Sequence, residues 1–123
     1  MERNQNLRSY ECPVEATLDV IGGKWKPLIL FYLLQEPRRF GELRRLMPNV
    51  TQRMLTKHLR ELEAAGVVHR EVYRQVPPKV EYSLTALGRT LEPVLTMMLR
   101  WGQSYIGSSE KASVEDEPSE KAS

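Results

Sequence analysis

The stretch spanning residues 51–66, TQRMLTKHLRELEAAG, constrains this chain more than any other. Thr51 carries the hydroxyl an N-cap needs to accept an amide proton from the first helical turn. Val50 and Leu55 flank it at the positions of a hydrophobic staple. Gly66 closes the helix, because glycine takes the left-handed C′ conformation without steric penalty. Between these caps Leu55, Leu59 and Leu62 recur at i, i+4 and i+7 and form an apolar seam. Arg53, Thr56, Lys57 and Arg60 run along the opposite side, with Gln52 at the entrance. A solvated charged face is the ordinary explanation of such a stripe. Here, however, cations are mixed with hydrogen-bonding side chains, the types that reach phosphates and base edges. A second helix also precedes this one across a tight turn. The expectation is a DNA recognition helix.

Charge placement supports that expectation. Residues 38–60 hold seven bases and one acid, whereas residues 107–123 hold five acids and two bases. A basic patch centred on one helix is the electrostatic footprint of a nucleic-acid binder, which a diffuse excess is not. With 123 residues, 41% of them hydrophobic, the chain has apolar material for the core of one domain. A single cysteine excludes an intrachain disulfide framework, and the opening MERNQNLRSYEC has no signal-peptide apolar run. The longest apolar run, residues 28–34, is too short to cross a bilayer. A cytoplasmic, soluble protein without membrane contact is expected.

In chain order, residues 1–9 are polar and expected to be flexible. Cys12-Pro13 opens a first helix, proline suiting position N1, with Val14, Leu18 and Ile21 as its apolar stripe and Gly22-Gly23 as its stop. Residues 24–35 form a second helix, apolar nearly all round and therefore central, with Pro27 tolerated in the first turn. Arg38-Arg39 is a short extended segment, and a brief helix from Phe40 to Leu46 turns Leu43 and Leu46 inward. Residues 47–50 make the turn before the recognition helix, completing a helix-turn-helix.

Beyond Gly66 the apolar period falls to two. Residues 67–76 and 80–84 read as a hairpin with a Pro77-Pro78 tip, a wing carrying Arg70, Arg74 and Lys79. Each of these bases is as readily a solvated surface residue as a contact to backbone or minor groove. Thr85 caps a last helix to about Ile106, which Pro93 must kink or restart. Its broad stripe includes Leu91, Leu95, Met98, Trp101 and Tyr105, more than one small domain readily covers. With Val14 and Leu18 it makes the expected homodimer interface, folding back on its own core being the alternative. Residues 107–123, with SEKAS occurring twice, are expected to form a disordered acidic tail.

Enzymatic constellations are missing. His58 and His69 have no metal-ligand spacing with each other or with Cys12, so neither metal nor cofactor is expected. There is no glycine-rich phosphate loop and no nucleophile elbow. His58 borders the leucine seam, where a packing role is expected. A winged helix serving only as a protein-interaction module is the rival reading, and it calls for a neutral or acidic outer stripe.

The segments CPVEATLDVIGGKWKPLIL, RRFGEL, TQRMLTKHLRELEAAGVVHR and VPPKVEYSLTALG together resemble the HxlR family of winged helix-turn-helix transcription regulators, relatives of the MarR group. The resemblance covers residues 10–106 with its motifs in order. It implies a mainly α fold with a small β-hairpin wing, and a homodimer on an inverted-repeat, double-stranded DNA operator, in the role of repressor. It places Gln52, Arg53, Thr56 and Lys57 toward the groove, and Arg38, Arg39 and Lys79 at phosphates. Several such proteins sense oxidants or electrophiles through a cysteine in the position of Cys12. The start of a helix favours negative charge there, while Glu11 and Glu15 oppose it.

Overall fold

The computed structural model describes residues 10–119, with side-chain surroundings to residue 109. The expected flexible segment 1–9 lies outside the described residues. The chain divides into two compact units, residues 1–92 and 93–123.

In the first unit, α1 (Pro13–Ile21) starts at Pro13 and ends at Gly22-Gly23, Gly23 taking φ +90°. Helix α2 (Trp25–Gln35) buries Ile29, Leu30 and Leu33 against α4 and β3. It is central, but not buried all round, for Leu28 is exposed. Strand β1 (Arg38–Arg39) leads into α3 (Phe40–Leu46), whose entry is fixed by the Arg39 amide donating to the Glu42 carboxylate at 2.8 Å. Leu43 is buried, but Leu46 is 38% exposed, against expectation. The helix ends there, and Met47, one residue on, turns into the core in its place. Helix α4 (Gln52–Ala64), the expected recognition helix, follows.

Strands β2 (Val68–Tyr73) and β3 (Lys79–Leu84) form the expected antiparallel hairpin. The sheet has a third strand, since β1 pairs with β3 on its other side in the order β1-β3-β2. Residues 38, 82 and 70 stand in one cross-strand row, and residues 39, 81 and 71 in the next. Successive rows face opposite sides of a sheet. Tyr82, Leu84 and Val68 of the first set are buried, so that face is the inner one.

Thr85 caps only a short helix, α5 (Ala86–Arg89), and a new helix, α6 (Glu92–Ser119), then begins. Pro93 restarts the helix rather than kinking it: as the second residue of α6 it has no helical acceptor to lose. Within the second unit, Met97, Met98, Leu99, Trp101, Tyr105 and Ile106 are exposed, and the Trp101 and Tyr105 rings stack at 5.0 Å. The helix continues to Ser119 where a disordered tail was expected from residue 107. Gly107 does not stop it, and the following Glu, Lys and Ala are strong helix formers with no proline before Pro118.

Candidate nucleic-acid interface

Helix α4 is locally determined at both ends. The Met54 amide donates to the Thr51 hydroxyl at 3.1 Å, and the staple residues Val50 and Leu55 are both buried. At the other end Gly66 sits at φ +83°, Val67 donates to the Leu62 carbonyl at 3.2 Å, and Gly66 donates to Glu63 at 3.0 Å. That pair of bonds is a Schellman cap, which needs the left-handed glycine. Leu55, Leu59 and Leu62 are buried, and α4 lies against α2 and β2. Fixing the seam inward fixes the opposite stripe outward. Gln52, Arg53, Lys57 and Arg60 are exposed and Thr56 is half-buried, and these five line one open surface.

A groove of about 480 Å³ runs from this stripe to the wing. Arg60 and Arg70 both line it, over Phe40 and Tyr82. Arg70 stands opposite Tyr82 in the sheet register, which puts it on the inner face beside α4. No carboxylate lies within ion-pair distance of Arg53, Arg60 or Arg70 among the described residues. Arg39 is exposed, and Arg74 stands exposed just after β2.

Two other candidates are engaged elsewhere. Arg38 donates to the Tyr32 carbonyl at 3.3 Å, to Gln35 Oε1 at 2.7 Å and to Glu36 Oε2 at 3.1 Å. Its side chain is 14% exposed and closes the C-terminus of α2. Lys79 lies 4.8 Å from the Tyr73 ring centre and 3.9 Å from Glu81, on the sheet face away from the groove. The negative charge of Glu81 is also the main cause raising the Tyr73 phenol above its ordinary value.

Glu61 tightens the other flank of the stripe. Its carboxylate lies 2.9 Å from Lys26 and 3.2 Å from Lys57, and hydrogen bonds from the two, Lys26 first, lower its pKa to about 2. His58 borders the seam at 17% exposure, its Nδ1 3.6 Å from Glu61 Oε1. Among the described residues no group of acids, histidines and cysteine is placed to hold a metal, and no helix is long and apolar enough to cross a membrane.

Of the expected dimer residues, Val14, Leu18, Met98, Trp101 and Tyr105 are exposed. Leu95 is buried and Leu91 is partly covered. Cys12 is a free, exposed thiol at the N-cap of α1, making no side-chain capping bond. In sequence Arg70 is a wing base as readily solvated as in contact with backbone or minor groove. Its spacing from Val68 and Val72 was the available signal for an inward direction.

The chain is similar to known proteins in sequence and in fold. The uncharacterized HTH-type transcriptional regulator YdeP of Bacillus subtilis is 65% identical over 94 residues, covering 76% of this chain and 73% of that one. The solved structure of the redox regulator HypR in its oxidized form is 64% identical, with a TM-score of 0.74 over 76% of this chain and 96% of that chain. The reduced form of HypR is 60% identical, with a TM-score of 0.77 over 81% and 99%. The model of the HxlR-like helix-turn-helix matches residues 20–110, and the chain belongs to that family.

Proposed function

We propose that this chain is a sequence-specific DNA-binding transcription regulator, a repressor acting as a homodimer on an inverted-repeat operator. The observation that carries the reading is α4. Its leucines are buried and both ends capped, so Gln52, Arg53, Thr56, Lys57 and Arg60 face outward as one basic, hydrogen-bonding surface. Such side chains on a helix that enters the major groove read base edges, and Arg70, which lines the groove beside α4, and Arg74 are read as phosphate contacts next to it. The basic stripe argues against a module built only for protein partners.

Dimerisation is proposed through α1 and α6. On α6, Val94, Met98, Trp101 and Tyr105 follow i, i+4, i+7 and i+11, an exposed apolar stripe of the kind that a second copy covers. Selection of bound genomic fragments by purified protein, followed by gel shift on the fragment recovered, tests DNA reading. Met98→Glu tests assembly in the same assay, because a charge on the seam should yield monomer and loss of operator binding. A dimeric, DNA-competent Met98→Glu protein would move the interface elsewhere.

A second reading concerns regulation. Cys12 is exposed and free, and HypR is described as a redox regulator in both oxidized and reduced forms. We propose that oxidation of the Cys12 thiol releases operator. With one cysteine per chain, an oxidant such as diamide removes two electrons and two protons from a pair of Cys12 thiols across the dimer, or joins Cys12 to a small thiol.

A further inference from the structure

Lys26, at the start of α2, and Lys57, on the outer stripe of α4, share one carboxylate. Lys26 Nζ lies 2.9 Å from Glu61 Oε1, and Lys57 Nζ lies 3.2 Å from Glu61 Oε2. The two lysines differ in exposure, 14% for the Lys26 side chain and 66% for that of Lys57. A largely covered ammonium keeps its counter-charge, because water no longer replaces it. An exposed i,i+4 pair with lysine N-terminal to glutamate is the weaker order and is screened by salt. Glu61 is therefore held firmly from behind by Lys26 and holds Lys57 loosely in front.

We propose that Glu61 is a specificity-determining residue of the DNA-binding site, withholding Lys57 from unselective phosphate contact. This rests on the DNA-binding reading above. On a duplex without the operator, α4 gains no base contacts, and a phosphate must displace a counter-ion already seated on Lys57. The fixed carboxylate also repels the backbone at the edge of the stripe. On the operator, base contacts from Arg53 and its neighbours draw α4 into the groove, and Lys57 exchanges Glu61 for DNA. Glu61 thus weakens non-operator binding more than operator binding. Lys26 keeps that negative charge in place when Lys57 leaves.

The test uses the full chain, an operator duplex and a scrambled duplex of equal length, with affinity measured over a salt series. Glu61→Gln removes the charge but keeps an oxygen acceptor for Lys26. The variant should bind the scrambled duplex about three- to tenfold more tightly at low salt, and its log affinity against log salt should steepen by about 0.9, one added phosphate contact. Operator affinity should rise less, so the ratio of the two falls. Adding Lys57→Met to Glu61→Gln should remove the gain and the added slope. The double variant Lys26→Met/Glu61→Met leaves no stranded ammonium and should reproduce the Glu61→Gln result if that protein folds poorly. Equal salt slopes for wild type and the charge-removed proteins, or a gain that persists without Lys57, overturn the proposal. A purely structural role would lower both affinities together. If wild type itself prefers no duplex over a scrambled one, the DNA-binding reading fails and this proposal with it; selective wild type with an unaltered variant slope sinks this proposal alone.

Discussion

The Thr85 hydroxyl donates to the Gly66 carbonyl at 2.7 Å while accepting from the Gly88 amide at 2.9 Å. One side chain thereby ties the C-cap of the recognition helix to the end of the wing and to the start of α5. Thr85→Ala removes both bonds. The lost cap and the unpaired carbonyl should together cost about 1–2 kcal/mol, measured by urea unfolding. Thr85→Ser keeps the oxygen and should recover most of that loss.

Two glycine substitutions should act in opposite directions. A Cβ on Gly88 would collide with the Val67 carbonyl oxygen, which already accepts the Thr85 amide at 3.1 Å. Because the obstacle is backbone, Gly88→Ala should destabilise by about 1–3 kcal/mol. On α3, a Cβ on Gly41 would meet only the end of the Arg45 side chain at 3.7 Å. Gly41→Ala should therefore stabilise by up to about 0.5–1 kcal/mol, through helix propensity and a less disordered unfolded chain. Thermal unfolding of the pair decides the point.

The arginines should separate into three behaviours. Arg53→Ala should relax discrimination at one base pair of each half-site, costing about 1–3 kcal/mol on the operator. Arg70→Ala should weaken all duplexes alike and reduce the salt slope by about 0.9. Arg38→Ala should leave that slope unchanged and lower stability, since Arg38 serves the carbonyl and side chains at the end of α2. A shallower salt slope for Arg38→Ala would return it to the DNA interface.

Glu61 predicts an acid-dependent component of stability. Its folded pKa, about 2, lies below the ordinary value of 4.5, so between these values the folded chain binds fewer protons at this site than the unfolded chain. The stabilisation is complete above about pH 4.5 and is lost as pH falls toward 2. Wild type should thus lose more stability across that window than Glu61→Gln. Parallel stability curves for the two proteins would show that the pairings with Lys26 and Lys57 do not survive in solution.

The recognition helix was legible in sequence because everything that defines it is local: Thr51, the leucine seam and Gly66 lie on one continuous stretch. The wing followed from its period of two. The pairing of Arg38-Arg39 with Glu81-Tyr82 was not legible, since a two-residue strand has no period and its partner lies far along the chain. The same distance hid half of the Glu61 contact. Its i,i+4 relation to Lys57 can be counted, whereas Lys26 meets it only through the packing of α2 on α4. Arg38 and Arg39 look alike in sequence, yet adjacent strand positions face opposite ways, and only Arg39 is left exposed.

The remaining prediction concerns Cys12. Its thiol is exposed, it makes no capping bond, and it begins α1, the helix whose Val14 and Leu18 are proposed to face a second copy. Oxidation to a bridge or mixed disulfide at that position adds bulk or a tether to the proposed dimer seam. Operator half-sites are read as a fixed pair, so a small change in separation of the two recognition helices weakens binding. Treatment with diamide should therefore lower the operator affinity of wild type by tenfold or more, with dithiothreitol restoring it. Cys12→Ser should bind operator like reduced wild type and ignore diamide. Non-reducing electrophoresis and mass measurement of the treated protein distinguish a Cys12–Cys12 bridge, which doubles the mass, from an adduct with a small thiol. If wild type and Cys12→Ser both hold operator, or both release it, the thiol plays no part in regulation and the signal enters elsewhere.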